Sequence, residues 1–229
     1  MNKNLLTIEK RPSINGTFWK KRLTDGNINT GQSSESKLNS ILENVLYGRN
    51  IKKEDFNDFL DPKVNNLIID PNELVDMDIA IKEITSTMIA NKKIGIIGDY
   101  DVDGTTSSSI LTNFFDHYNV NSDVYIPDRL KDGYGPNIFA FDQFIEKGID
   151  TVITVDCGSA SIKPLEYANK NGIKVIIIDH HKVDNILPEC FAHINPTRND
   201  DKSNLNHLAA VGLTFLFIVA LRRALRDVK

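Results

Sequence analysis

Four short apolar runs constrain this chain more than anything else in it. They are Ile94–Gly98, 123–126, Thr151–Val155 and Lys174–Ile178, at intervals of about 23 to 30 residues. Helical patterns lie between them, near 105–118, 137–147 and 159–171, and the last closes on Asn171-Gly172, a left-handed C-cap signal. Strand–helix alternation of this kind predicts right-handed βαβ crossovers. The expected fold is therefore α/β, a parallel sheet of βαβ units flanked by helices on both faces. Thr105, Thr106 and Ser107 stand where the first of these helices should begin, suited to capping it.

What precedes the sheet reads differently. Residues 1–36 are polar, with Phe18 and Trp19 as their large apolar anchors, and read as an N-terminal arm. A small, mostly helical region follows over 37–90. Leu38, Ile41, Leu42, Val45 and Leu46 make one apolar stripe, and 51–60 suggests a short helix stopped by Asp61-Pro62. An amphipathic helix fits 72–90, with Leu74, Met77, Ile81, Ile84 and Met88 on its buried face. The α/β domain then occupies 91–229, ending in a helical segment over about 207–226.

At 229 residues and a net charge of −4, the chain can bury a full core and is not a histone-like polycation. Cys157 and Cys190 have no CxxC spacing, so neither a disulfide framework nor a zinc ribbon is indicated. The apolar run 208–221 is too short to span a bilayer. Without a secretory signal, the expected location is cytoplasmic, with no membrane partner.

Chemistry collects where the strands stop. The four runs end in Asp99-Tyr-Asp101-Val-Asp103, Pro127-Asp128-Arg129, Asp156-Cys157-Gly158 and Asp179-His180-His181. In a parallel sheet these ends share one edge, where open α/β folds bind ligands. Carboxylates held together repel unless a cation lies among them, and carboxylate with imidazole suits Mn²⁺ or Mg²⁺ better than structural zinc. Metals held by shared carboxylates suggest hydrolysis of a phosphate ester. An EF-hand loop does not fit, because its twelfth position is Ile110 and a strand precedes it. A haloacid-dehalogenase-type reading, with Asp101 as nucleophile and Asp103 as general acid, stays open but leaves Asp156 and Asp179–His181 without a role.

Gly98-Asp-Tyr-Asp-Val-Asp-Gly-Thr, Pro127-Asp-Arg, Asp132-Gly-Tyr-Gly-Pro136 and Thr154-Val-Asp-Cys-Gly158 occur in order. They are followed by Ile178-Asp-His-His181, Ile194-Asn-Pro196 and Leu208-Ala-Ala-Val-Gly212. This set resembles the DHH phosphoesterase superfamily and, within it, the RecJ family of single-stranded-DNA-specific exonucleases. The resemblance implies metal-dependent 5′-to-3′ hydrolysis of single-stranded DNA, in DNA repair and recombination. It implies Asp101, Asp103, Asp156 and His180 as ligands of Mn²⁺ or Mg²⁺, with Asp156 bridging two metals. Asp99 would be a catalytic carboxylate, as ligand or immediate support, and His181 would act on the scissile phosphate. Asp179 would orient a neighbouring histidine, and Arg129 and Tyr134 would bind the substrate. Cys157 reads as a small packing residue.

The chain departs from the family pattern by stopping at Lys229. The resemblance implies a further metal-binding Asp, a linker helix, a DHH-associated domain and an oligonucleotide-binding fold beyond that point. The expectation is thus an incomplete, poorly active portion, completed by a separately encoded C-terminal part. The alternatives are a phosphoesterase for pyrophosphate or dinucleotides and a catalytically silent metal-binding remnant.

Overall fold

The computed structural model describes residues 12–18, 34–183 and 186–227, with side chains from 41 onward in the first helix. Of the expected arm, 12–18 form a turn closed by a Ser13–Thr17 hydrogen bond; Trp19 lies outside the described residues. The chain forms two compact units that divide between Ile68 and Ile69.

The first unit holds α1 (Ser34–Gly48), a 3-10 turn (Lys53–Asp55), α2 (Phe56–Leu60) and α3 (Val64–Leu67). The single-stripe reading of α1 needs correction. Leu46 is buried, but Ile41, Leu42 and Val45 are 40% exposed or more. The helices that follow it in this unit have five and four residues and offer little surface to cover a stripe. Phe56 is buried and meets Tyr47 edge to face, with ring centroids 5.1 Å apart.

The second unit begins with a 3-10 turn (Pro71–Glu73) and α4 (Met77–Ile89), a helix read from sequence as part of the leading region. Leu74, Met77, Ile81 and Ile84 are buried as the pattern demands. Then come β1 (Ile94–Gly98), α5 (Val102–His117), β2 (Ser122–Tyr125), α6 (Ile138–Glu146), β3 (Thr151–Val155), α7 (Ile162–Lys170) and β4 (Lys174–Ile178). A fifth strand that the apolar pattern did not announce, β5 (Ala192–Ile194), precedes α8 (Ala210–Asp227). The five strands are parallel in the order β2-β1-β3-β4-β5. β1, β3 and β5 are buried throughout, as strands covered on both faces require.

Helices α6 and α7 close one face, where Phe141, Phe144 and Leu165 pack with Ile97, Val152, Val175 and Ile177. Helix α5 lies against β1 and β2, and α8 packs on α5 and α4. Two glycines set how closely α5 approaches. A Cβ on Gly104 would lie 2.5 Å from the backbone N and O of Asp99, and one on Gly98 would meet Ser108 Oγ at 2.1 Å.

Register decides what the sheet presents. Gly98 pairs with Val155, Val155 with Ile178, and Ile178 with Ile194. The next residue in each strand is therefore polar and level with its neighbours: Asp99, Asp156, Asp179 and Asn195. All four are buried. The chain reverses its direction of travel across the sheet between β1 and β3, which is the switch point where such sheets open a crevice. Asp99 and Asp156 stand at that point.

Candidate active site

The turn after β1 is built by its own carboxylates. Asp101 is the N-cap of α5, its Oδ1 accepting from the N–H of Asp103 at 2.9 Å and of Gly104 at 3.1 Å. This corrects the capping expected of Thr105–Ser107: the Thr105 hydroxyl instead donates back to the Asp101 carbonyl at 2.6 Å. The Gly104 N–H holds the Asp101 carboxyl below its usual range. Asp99 accepts from the Tyr100 N–H at 2.8 Å; its burial raises its pKa, the neighbouring Asp101 adds to that, and His181 and Arg129 oppose it.

Asp103 spans two elements. Its two oxygens accept from the N–H groups of Ala210, at 2.8 Å, and Val211, at 2.7 Å, at the start of α8. The 208–212 motif thus delivers helix N–H donors to a carboxylate of the turn.

Asp156 lies at the centre. It is 1% exposed, its backbone is left-handed at φ +60°, and its Oδ1 is buried without a hydrogen-bond partner among the described residues. Its N–H donates to the Ile178 carbonyl at 3.0 Å, and its own carbonyl accepts from the Tyr134 hydroxyl at 2.9 Å. Burial first, then the charges of Asp103 and Asp101, push its carboxyl up to about 8. His180 Nε2 lies 3.3 Å from Asp156 Oδ1 and 3.5 Å from Asp103 Oδ2.

Asp179 accepts four bonds. The N–H groups of His180, His181 and Ser159 lie at 2.8, 3.1 and 3.1 Å, and His181 Nδ1 at 2.7 Å. Burial opposes its charge, but these donors outweigh burial and hold the carboxyl far below its usual range. An ionised carboxylate can only accept, so His181 carries a proton on Nδ1. The Asp179 hydrogen bond raises the imidazole to about 9 against the opposing effect of burial.

Two sets of ligand atoms each lie within 4.8 Å of one another: those of Asp99, Asp101 and Asp156, and those of Asp156, His180 and His181. Asp156 belongs to both. The donors are carboxylate oxygens and imidazole nitrogens, and a buried oxygen of the shared carboxylate has no hydrogen-bond partner among the described residues, so the residues present fit a divalent cation.

These observations and the sheet order meet in one family. Its model, described as the DHH family, N-terminal domain, matches residues 93–228. The chain belongs to the DHH family. It is 39% identical over 158 residues to the single-stranded-DNA-specific exonuclease RecJ of Bacillus subtilis, covering 69% of this chain and 20% of that protein. To the protein of the same description from Escherichia coli K12 it is 34% identical over 156 residues, covering 68% of this chain and 27% of that one. Among solved structures, exonuclease RecJ bound to manganese superposes with a TM-score of 0.60 at 29% identity, over 66% of this chain and 38% of that one. The chain thus spans between a fifth and a third of the curated RecJ proteins it matches. DHH-family membership agrees with metal-dependent phosphoester chemistry and with the parallel sheet described above. Among the described residues no helix is long and apolar enough to cross a membrane.

Arg129 and Tyr134 stand apart from the ligand sets. The Arg129 guanidinium lies over the Tyr100 ring, 5.3 Å from its centroid. The half-exposed Tyr134 turns its hydroxyl inward, bonding Asp156 and lying 3.3 Å from His181 Nδ1. Cys157 is fully buried in the core, and burial pushes its thiol well up, away from a reactive thiolate. The residues that sequence reasoning left without a role are Ser159, His193, Asn195 and Thr197. The Ile194-Asn-Pro196 motif was the available signal, but its partners are distant in the chain.

Proposed function

We propose that this chain carries the metal-dependent phosphodiesterase centre of a single-stranded-DNA-specific exonuclease that works from the 5′ end. The observation behind the reading is the meeting of two ligand sets at Asp156, whose buried Oδ1 has no hydrogen-bond partner among the described residues. Asp101, Asp103, Asp156 and His180 would hold Mn²⁺ or Mg²⁺, with Asp99 as a ligand or immediate support. Bound there, such cations supply Lewis acidity toward a phosphate ester and its attacking water.

The chain's own groups do the rest. Asp179 fixes the His181 ring through Nδ1, which leaves Nε2 to donate a proton to the leaving oxygen. Arg129 would hold a backbone phosphate, and the exposed part of the Tyr134 ring offers a stacking surface to a base. Similarity to the RecJ proteins supports the substrate class, and a role in DNA repair and recombination is part of the proposal. The curated relatives are several times longer than the matched region, and a C-terminal RecJ portion acting with this chain is part of the proposal.

Calorimetry tests the metal half: Mn²⁺ binds the wild-type chain and does not bind Asp156→Ala. No uptake by the wild type would remove the reading. With Mn²⁺, 5′-labelled single-stranded DNA is bound and releases mononucleotide only slowly until the C-terminal part of a RecJ protein is added. Turnover of a dinucleotide without turnover of longer strands would instead favour a small-substrate phosphoesterase.

A further inference from the structure

Asn195 follows β5 in the same rank as Asp179 and is completely buried. Its amide nitrogen donates twice, to Ser159 Oγ at 3.0 Å and to the His181 carbonyl at 2.9 Å. Its Oδ1 accepts from the Thr197 N–H at 2.9 Å, and the Thr197 hydroxyl lies 2.9 Å from both the His181 carbonyl and Asn195 Oδ1. Ser159 in turn donates its N–H to Asp179 and lies with Oγ 2.8 Å from His193 Nε2.

Ser159 Oγ accepts from Asn195 and lies within hydrogen-bond distance of His193 Nε2, which links the two side chains. His193 is 2% exposed, and burial together with the Arg198 charge lowers it to about 4, which keeps the ring neutral; its Nδ1 is buried without a hydrogen-bond partner among the described residues. The backbone of His193 is itself held, its N–H by Asp76 at 3.0 Å and its carbonyl by Arg198 at 2.5 Å. One end of the network is anchored in packed structure and the other holds the histidine loop.

We propose that Asn195 is a positioning residue for His181, because one amide ties the loop carrying His180 and His181 to the Ser159 turn that holds Asp179. Both partners of the His181–Asp179 pair then take their places from a single side chain outside the ligand sets. This inference rests on the role given to His181 above. Asn195→Asp keeps the shape but replaces both donated bonds with lone pairs facing the Ser159 oxygen and the His181 carbonyl.

The test uses the full ¹⁵N-labelled chain without metal. The resonance of the proton on His181 Nδ1, assigned by its loss in His181→Gln, is visible in the wild type and broadens away in folded Asn195→Asp. Mn²⁺ affinity falls by about tenfold in the same variant, as for other groups that orient metal ligands. A role in stability alone would lower the melting temperature and leave the resonance in place. Unchanged resonance and unchanged affinity in folded Asn195→Asp overturn the proposal. Where Asn195→Asp does not fold, Thr197→Val carries the test, since it removes the hydroxyl that the His181 carbonyl and Asn195 Oδ1 share. It shifts the resonance and weakens Mn²⁺ binding severalfold, and no change in either overturns the proposal. A wild-type chain that takes up no Mn²⁺ removes the metal reading, while the resonance comparison still decides the role of Asn195.

Discussion

Replacing Asp156 by Asn should make the metal-free protein more stable, although it disables the site. The metal-free fold holds this carboxyl buried, with one oxygen unpartnered, beside Asp101 and Asp103. Its pKa moves from 3.8 to about 8, through burial first and the neighbouring charges second. At about 1.36 kcal/mol per tenfold change in proton affinity, roughly 4 kcal/mol opposes the metal-free fold at pH 7. Adjustment of the neighbouring acids and entry of water bring the expected gain for Asp156→Asn to about 2–3 kcal/mol, or about 5–10 °C in Tm. The left-handed backbone at φ +60° also suits Asn. The sign follows from proton counting. Between pH 3.8 and about 8 the folded wild type keeps a proton that the unfolded chain has lost, so its stability falls as pH rises through that window. The variant has nothing to titrate, so the gap between the two opens across that window and is constant above it. Calorimetric melting in EDTA at pH 4, 7 and 9 reads the gap, and added Mn²⁺ should reverse the order. A metal-free variant that melts at or below the wild type at pH 7 and 9 refutes the reasoning.

The same carboxyl must shed its proton to bind a cation, so Mn²⁺ affinity should rise by up to about tenfold per pH unit from pH 6 to 8. Titration calorimetry in two buffers of different ionisation enthalpy checks this through the released proton. Gly104→Ala should cost about 3 kcal/mol or more, because its Cβ would meet Asp99 backbone atoms at 2.5 Å; urea unfolding measures it. Asp103→Ala removes both acceptors at the start of α8 and should cost about 1–2 kcal/mol in EDTA, with faster hydrogen exchange at Ala210 and Val211. Arg129→Ala should weaken single-stranded DNA binding and leave Mn²⁺ affinity unchanged, by fluorescence anisotropy and calorimetry respectively.

Apolar periodicity exposed four of the strands because each is a run of four or five residues with few polar interruptions. It passed over β5, which is three residues long and centred on a histidine. That His193 has Ser159 at its Nε2 and Asp76 and Arg198 at its backbone, and sequence spacing cannot show those partners. The acids and histidines of the candidate site were legible because they directly follow the strands, where a parallel sheet aligns them. Their division of labour was not. Asp103 reads like its neighbours Asp99 and Asp101, and only folding reveals that it grips a helix 107 residues away. Tyr134 likewise reads from sequence as a substrate-binding residue, and only folding shows its hydroxyl bonded to the Asp156 carbonyl. The stripe on α1 was legible as a pattern, but a pattern does not disclose whether enough chain is packed against it.

The grip of Asp103 on α8 also gives the protein a time order. The bond spans 107 residues, and closing so long a loop costs conformational entropy that local helix formation does not. The β1–α5 turn, capped by Asp101 from within, can form early, while α8 can seat only after the intervening strands have assembled. Until it does, the Asp103 carboxylate has no fixed direction and the proposed cation lacks one of its ligands. Under the proposed ligand set, tight Mn²⁺ uptake would be expected only of a chain whose α8 has docked on Asp103, and not of one still folding.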